Sequence, residues 1–395
     1  MKFLVVAPQP FLAPRGTPLS VYYRTMVMAE HGARIDLLSY GEGEDVEIPG
    51  VNLIRIPRLS WVGPVAVGPS WKKLFLDIIM LAWTVGLLAR HRYDAVHAHE
   101  ESVFWCRFLK PLFRFRLIYD MHSSLPQQLT NFNFSKSKLL LATFRALEHT
   151  CLRAADAVIT ICPDLRDYAL STGVAPEKHV LIENSIFEDV HLRKLHGTGR
   201  ESAAAPVTMN PPLDIERPIV LYAGTFEQYQ GIEMLIRAFA QVVAQRTDAQ
   251  LLLVGGTPQQ VAHAADIVTE LRLAHCVYLT GKMSKNAAMR YTRLATVLVS
   301  PRLHGTNTPL KIYEQLASGK PLVATRIWSH TQVLDEGVCI LVDPNPESMA
   351  RGLLLAINDP DSAREVAARA RVLYEKEYAR PVYEQKIRRL LEMVS

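Results

Sequence analysis

Cysteine is scarce in this chain. Its five cysteines (Cys106, Cys151, Cys162, Cys276 and Cys339) include no Cys-x-x-Cys pair, and no His/Cys cluster has metal-ligand spacing. The N-terminal MKFLVVAP is too short in apolar residues for a signal peptide and reads better as a first strand. Together these features predict a reducing cytosol and ordinary core thiols. Long hydrophobic runs are missing too. The most apolar segment, Leu74 to Ala89, stops short of the ~20 residues a membrane span needs and contains Asp77, so a buried helix is predicted. Charge of one sign is also lacking: 44 basic against 39 acidic residues leave a net +5, which does not demand nucleic acid. No G-x-G-x-x-G follows the first strand, which disfavours a dinucleotide-dependent dehydrogenase.

The chain of 395 residues exceeds one ordinary core, and two domains are expected. Continuous apolar strands alternate with amphipathic helices, the pattern of parallel α/β sheets. Lys2 to Ala7, a Pro/Gly loop, a helix from Val21 to His31 and a strand from Arg34 to Ser39 make a βαβ opening. A helix from Trp71 to Arg90 precedes strands near Tyr93–His99, Leu117–Asp120, Ala157–Thr160 and His179–Glu183. The pattern then dissolves, which marks residues 191–217 as a linker between a first domain (1–190) and a second (218–378). In the second, strands at Ile219–Ala223, Leu251–Val254, Val277–Thr280 and Ala295–Ser300 run into Gly or small polar residues, among them Gly224 and Gly255. Such exits let loops approach a ligand at one sheet edge.

The stretch Val299 to Thr325 organises the rest. Thr308 is predicted as a helix N-cap, Pro309 as the first helical residue, and Gly319 as the stop before a strand at Leu322–Thr325. Lys311 then stands in the first turn, beside the positive end of the helix dipole, where a cation is unfavourable unless an anion sits at the helix end. Glu314 shares its face. A cation beside free amides, with a carboxylate one turn deeper, suits a phosphate followed by a ribose; a surface lysine and a solvated glutamate are the bland alternative. The Gly305-Thr306-Asn307-Thr308 loop offers small donors suited to an anion nest. In the first domain, His122 lies just past a strand's carboxyl end, at the ligand-binding edge of a parallel sheet, and His99 occupies a comparable exit. For a lone histidine, a structural role is the alternative.

The segment Glu314-Gln-Leu-Ala-Ser-Gly-Lys-Pro-Leu-Val resembles the C-terminal signature of retaining family-4 glycosyltransferases of the GT-B fold. The resemblance covers nearly the whole chain, most strongly at 219–245 and 296–325. It implies two Rossmann-like domains facing a central cleft, with a final helix, 381–393, packing back on the first. It implies transfer of a sugar, with retention, from a nucleotide-diphosphate sugar (UDP- or GDP-linked) to a lipid-linked or polysaccharide acceptor. No cofactor or metal is expected, because the nucleotide-sugar is a substrate. The resemblance gives His122 a contact to the donor sugar and Gly16 a close approach to donor or acceptor, although a simple turn glycine also explains Gly16. Catalytic roles are expected of His122, Lys311 and Glu314. Donor binding is expected of Gly16, Gly224, Thr225, Gln230, Gly255, Lys282, Arg302, Gly305, Thr306, Asn307, Thr308 and Leu310.

Three positions depart from the family pattern. Thr225 and Gln230 stand where an arginine and a lysine usually grip the diphosphate, and Thr306 stands where the first signature glutamate belongs. Either Lys311, helped by Arg302 or Lys282, has taken over the cationic role, or the chain is a non-catalytic scaffold of the same fold. Asp359-Pro-Asp361 mimics a metal-binding D-x-D and is read as a turn. Residues 104–116 hold Arg107, Lys110, Arg114 and Arg116 among aromatics, with no acid. They suit peripheral contact with an anionic membrane at the inner face of the plasma membrane, or else a half-buried helix with a solvated basic edge. No nucleic-acid motif accompanies them.

Overall fold

The computed structural model describes residues 1–11, 16–43, 46–59, 70–124, 138–184 and 213–395. The chain divides into two units: Met1–Ile186 together with Arg380–Ser395, and Phe187–Ala379. Most of the expected linker, 191–212, lies outside the described residues. The rest is tied to the second unit, where Asp214 N–H donates to Gln250 Oε1 at 2.9 Å.

In the first unit, apolar runs become buried parallel strands: β1 (Lys2–Ala7), β2 (Arg34–Ser39), β3 (Val51–Arg55), β4 (Ala95–His99), β5 (Arg116–Met121), β6 (Ala157–Thr160) and β7 (His179–Leu181). They form a seven-stranded sheet of order β3-β2-β1-β4-β5-β6-β7. The order reverses between β1 and β4, a topological switch point. Helix α1 (Gly16–Glu30) begins earlier than the apolar pattern predicts. Helices α2 (Trp71–Arg90), α3 (Ser102–Phe113) and α4 (Lys138–Ala154) contribute Leu76, Met80, Cys106 and Cys151 to a core with Leu4, Val96 and Tyr119. Helix α5 (Pro163–Ser171) follows β6.

The prediction that Leu74–Ala89 is a buried helix needs correction. Ser70 caps α2, accepting from Lys73 N–H, and only one side of the helix is covered, through Leu76, Met80, Thr84, Leu87 and Leu88. Trp71, Leu74, Phe75, Ile78, Trp83 and Val85 are exposed. Large apolar residues stand on more than one side of the helix, but a sheet can cover only one of its faces. Among the described residues, no helix is long and apolar enough to cross a membrane. All five cysteines are buried and unbridged.

The second unit has β8 (Ile219–Ala223), β9 (Gln250–Val254), β10 (Val277–Gly281), β11 (Val297–Ser300), β12 (Leu322–Thr325) and β13 (Ile340–Val342), in the order β10-β9-β8-β11-β12-β13. All are parallel, and the order reverses between β8 and β11. Its helices are α6 (Ile232–Val243), α7 (Pro258–Glu270), α8 (Lys285–Leu294), α9 (Leu310–Ala317), α10 (Trp328–Thr331), α11 (Pro346–Asn358) and α12 (Pro360–Glu377). The last helix, α13 (Arg380–Met393), belongs to the first unit. There Arg380 pairs with Glu30 at 2.6 Å and Lys386 with Glu183 at 2.5 Å.

Two local readings change. Helix α9 starts at Leu310 with Pro309 in the cap position at φ −65° and ψ 138°, so Thr308 is not the N-cap. The φ of Pro309 would suit a first helical residue, but its ψ is extended, so the helix starts one residue on. Asp359 is not merely a turn residue: it caps α12, accepting from Ser362 N–H at 3.1 Å.

Candidate active site

In the second unit the expected residues gather where β8 and β11 part. β8 exits at Gly224 and β9 at Gly255. Gly255 has φ +125°, and a Cβ there would stand 1.8 Å from the Gly224 carbonyl oxygen, so only glycine fits. A Cβ on Gly224 would in turn lie 3.1 Å from Lys311 Nζ and 2.9 Å from Tyr222 Oη. The strand exit is therefore kept bare directly over a lysine.

Lys311 reaches back from the first turn of α9. Its Nζ donates to Gln230 Oε1 at 2.9 Å and to Tyr222 Oη at 3.1 Å. Both partners are neutral. Tyr222 Oη donates onward to the Thr225 carbonyl at 2.6 Å. Burial, then the nearby charge of Arg302, push the Lys311 ammonium down to about 7, with Glu314 opposing. Arg302 lies with its guanidinium 5.1 Å from the Tyr229 ring centroid and donates to the carbonyls of His304 (2.9 Å) and Asn307 (3.3 Å). Burial lowers its pKa as well. Two neighbouring cations thus have neutral hydrogen-bond partners, which is the electrostatic state of a site awaiting an anion.

The remaining candidates divide. Gln230 is buried against Lys311. Thr225 is exposed and contributes its carbonyl. Thr306 accepts from Gln332 Nε2 at 2.6 Å through its backbone. Gly305 packs against the Arg302 guanidinium, and Thr308 is buried with its Oγ1 unpartnered among the described residues. Leu310 opens α9 and Glu314 follows one turn on. Lys282 stands exposed just past β10, the edge strand, away from this group. Gly16 begins α1 in the first unit.

The first unit has its own cluster at the exits of β4 and β5. His99 Nδ1 and His122 Nε2 are hydrogen-bonded at 3.2 Å. Beneath them, Asp120 takes His97 Nε2 at 3.0 Å, lies 3.2 Å from His122 Nε2, and is ion-paired to Arg24. Arg24 Nη2 donates to the Ile182 carbonyl at 2.7 Å, and its guanidinium also meets Tyr383 of α13. Burial would raise the Asp120 carboxyl, but Arg24, His122 and His99 hold it well below the usual range. Burial pushes His122 down to about 4, so it is neutral near pH 7. His97, His99 and Asp120 are close enough to hold a metal ion. The Arg24 guanidinium already takes the same Asp120 oxygen as His97, so a resident cation does not fit. Alongside, Lys73 bridges Glu100 and Glu101, and Tyr40 donates to Asp77 at 2.5 Å.

Sequence reasoning missed Tyr222, Asp120, His97 and Arg24. Arg24 gave one signal, a lone charge within the apolar run around Val21–Met28.

Comparison with known proteins agrees with this architecture. The family model described as "Glycosyl transferases group 1" matches residues 217–359, and "Glycosyl transferase 4-like domain" matches residues 25–185. The chain is 28% identical over 413 residues to the phosphatidyl-myo-inositol mannosyltransferase of Mycobacterium tuberculosis, across 100% of this chain and 97% of that protein. It is 23% identical over 345 residues to an uncharacterized glycosyltransferase of Methanocaldococcus jannaschii, across 84% and 82%. Among solved structures, sucrose-phosphate synthase from Thermosynechococcus elongatus superposes with a TM-score of 0.74 at 22% identity, covering 100% of this chain and 98% of that one. Anabaena HepE in complex with UDP gives 0.70 at 17%, covering 99% and 100%.

Two parallel sheets, each with its polar groups at the strand exits, have the GT-B fold. The chain belongs to the family-4 glycosyltransferases.

Proposed function

We propose that the protein moves a sugar from a UDP- or GDP-linked donor to a lipid-linked or polysaccharide acceptor, with retention of anomeric configuration, at the cytoplasmic face of a membrane. The observation that carries the donor reading is Lys311, a part-buried cation between two neutral oxygens under a bare glycine. A diphosphate supplies the missing charge, aided by free N–H groups at the start of α9 and by the 305–308 loop. Gln230 does not replace the family's lysine as a phosphate ligand; it props the lysine that does the work from α9. As the glycosidic bond breaks, negative charge grows on the departing diphosphate, and Lys311 meets it in place without reorganisation. Glu314 takes the ribose hydroxyls.

HepE structures hold UDP and UDP-glucose, which supports a nucleotide-sugar donor. The named mannosyltransferase relative supports a lipid-borne acceptor. The resemblance to retaining enzymes supports retention. Calorimetric titration of UDP and GDP, then a nucleotide-sugar panel with the product anomer read by NMR, tests the proposal. Binding of neither nucleotide favours the scaffold reading, and an inverted product removes the retaining mechanism.

A further inference from the structure

We infer that the outward face of α2, with the adjoining end of α3, docks on the surface of an anionic phospholipid bilayer. On the outer side of α2, Trp71 is 76% exposed, Leu74 50% and Ile78 59%. α3 packs against α2 and adds Phe108 at 63% and Leu112 at 71%. Most of the large apolar side chains exposed on the described residues stand on these two helices. A contiguous patch of this kind on a folded protein marks a contact surface.

Charge names the occupant. The one acid of α2, Asp77, is turned away to Tyr40, and α3 has none. Lys72 and Arg90 lie exposed at the two ends of α2. On α3, Arg107, Lys110 and Arg114 ring a shallow cavity floored by Phe108, Pro111 and Phe115. Lys110 is held by Asp156 at 2.8 Å, and Arg107 rests over the Phe108 ring at 4.9 Å. An apolar stripe bordered by cations matches acyl chains bordered by phosphates. Trp71, Leu74, Ile78 and Val85 share one side of α2 and span about 21 Å of helix at 1.5 Å per residue, so the whole stripe meets the interface only if α2 lies along the bilayer plane. A second copy of this face would set its cations against the same cations, which disfavours self-association. The cavity, about 570 Å³, has room for a phospholipid head group beside the exposed stripe, with Arg107 and Arg114 in its lining.

This inference rests on the membrane-face part of the proposed function and is independent of the donor chemistry above. Full-length protein is floated with phosphatidylcholine vesicles, with and without phosphatidylglycerol. Binding is expected only with phosphatidylglycerol, falling as salt rises, with tryptophan emission quenched by brominated acyl chains. The Trp71→Ser/Ile78→Asp variant should lose more than about tenfold in partitioning, and Arg107→Gln and Arg114→Gln roughly fivefold each. Unchanged thermal midpoints confirm that these exposed positions keep the fold. Absence of wild-type binding, salt-insensitive binding, full binding by Trp71→Ser/Ile78→Asp, or a dimer that this variant dissolves without any vesicle binding, overturns the assignment. Nucleotide titration of the same variants reports separately on the donor site, so one reading can fail without the other.

Discussion

The Lys311 ammonium rests 4.2 Å from the centroid of the Tyr222 ring and 3.1 Å from its hydroxyl. The ring face offsets part of the lost hydration, and the hydroxyl fixes the lysine in one place. Neither supplies a negative charge. The free protein therefore holds a cation at a cost that a bound anion removes.

Lys311→Ala should weaken nucleoside diphosphate binding and slow transfer by ~10²-fold or more, the scale for one preorganised stabilising group. Thermal stability should hold or rise, since a poorly solvated charge is removed. Calorimetry and a melting curve on the same sample check both. Unchanged affinity with the fold intact would move the site elsewhere.

The depressed pKa also predicts a pH dependence with a definite sign. Well below 7, Lys311 is protonated whether free or bound, and affinity for a nucleotide-sugar, whose diphosphate has no proton to lose there, is flat. Above it, the free protein sheds the proton while the complex keeps it. Affinity should then weaken by up to about tenfold per pH unit until the higher pKa of the complex is reached. Proton uptake on binding a nucleotide-sugar, measured in buffers of different ionisation enthalpy, should appear at pH 8 and fade towards pH 6.

Glu314→Gln keeps shape and removes charge. It should weaken binding of UDP or GDP while leaving inorganic pyrophosphate nearly untouched, because only the nucleotide carries a ribose. Equal losses for both ligands would place Glu314 at the phosphates instead.

Removing one side of the Arg24–Asp120 pair leaves the other charge buried. Arg24→Met should cost about 3–5 kcal/mol in urea unfolding of the first unit. The effect should reach His122, whose ring sits 3.2 Å from the same carboxylate. The second unit's nucleotide affinity should stay unchanged.

Transfer should proceed in EDTA. The D-x-D look-alike is a helix cap, and the His97–His99–Asp120 group is already held by Arg24. Loss of activity on chelation, restored by Mg²⁺ or Mn²⁺, would contradict this.

Much of the fold was legible because buried parallel strands are continuous apolar runs. Val51–Arg55 escaped notice because it is a partly exposed edge strand, and Ile340–Val342 because it is three residues long and also at an edge. The electrostatic oddity of Lys311 was visible from its place in the helix. Its supports were not, since Tyr222 and Gln230 lie 89 and 81 residues away. Hydropathy flagged α2 as exceptional but could not say that only one side is covered. The reading of Thr308 as a cap failed because Pro309 is extended in ψ, which its ring does not fix, and the helix starts at Leu310.

The placement of α13 bears on how the chain is assembled. This helix follows the whole second unit in sequence, yet it meets Arg24 through Tyr383 and joins Glu30 across 350 residues. During synthesis the first unit emerges early but stays incomplete until Arg380–Met393 has cleared the ribosome. The second unit has all its strands by then. The first unit's slowest folding step should be capture of this distant segment, with the loop-closure cost that long sequence separation brings. The Arg24–Asp120 pair beneath the histidines gains its Tyr383 neighbour only after the intervening unit has been made.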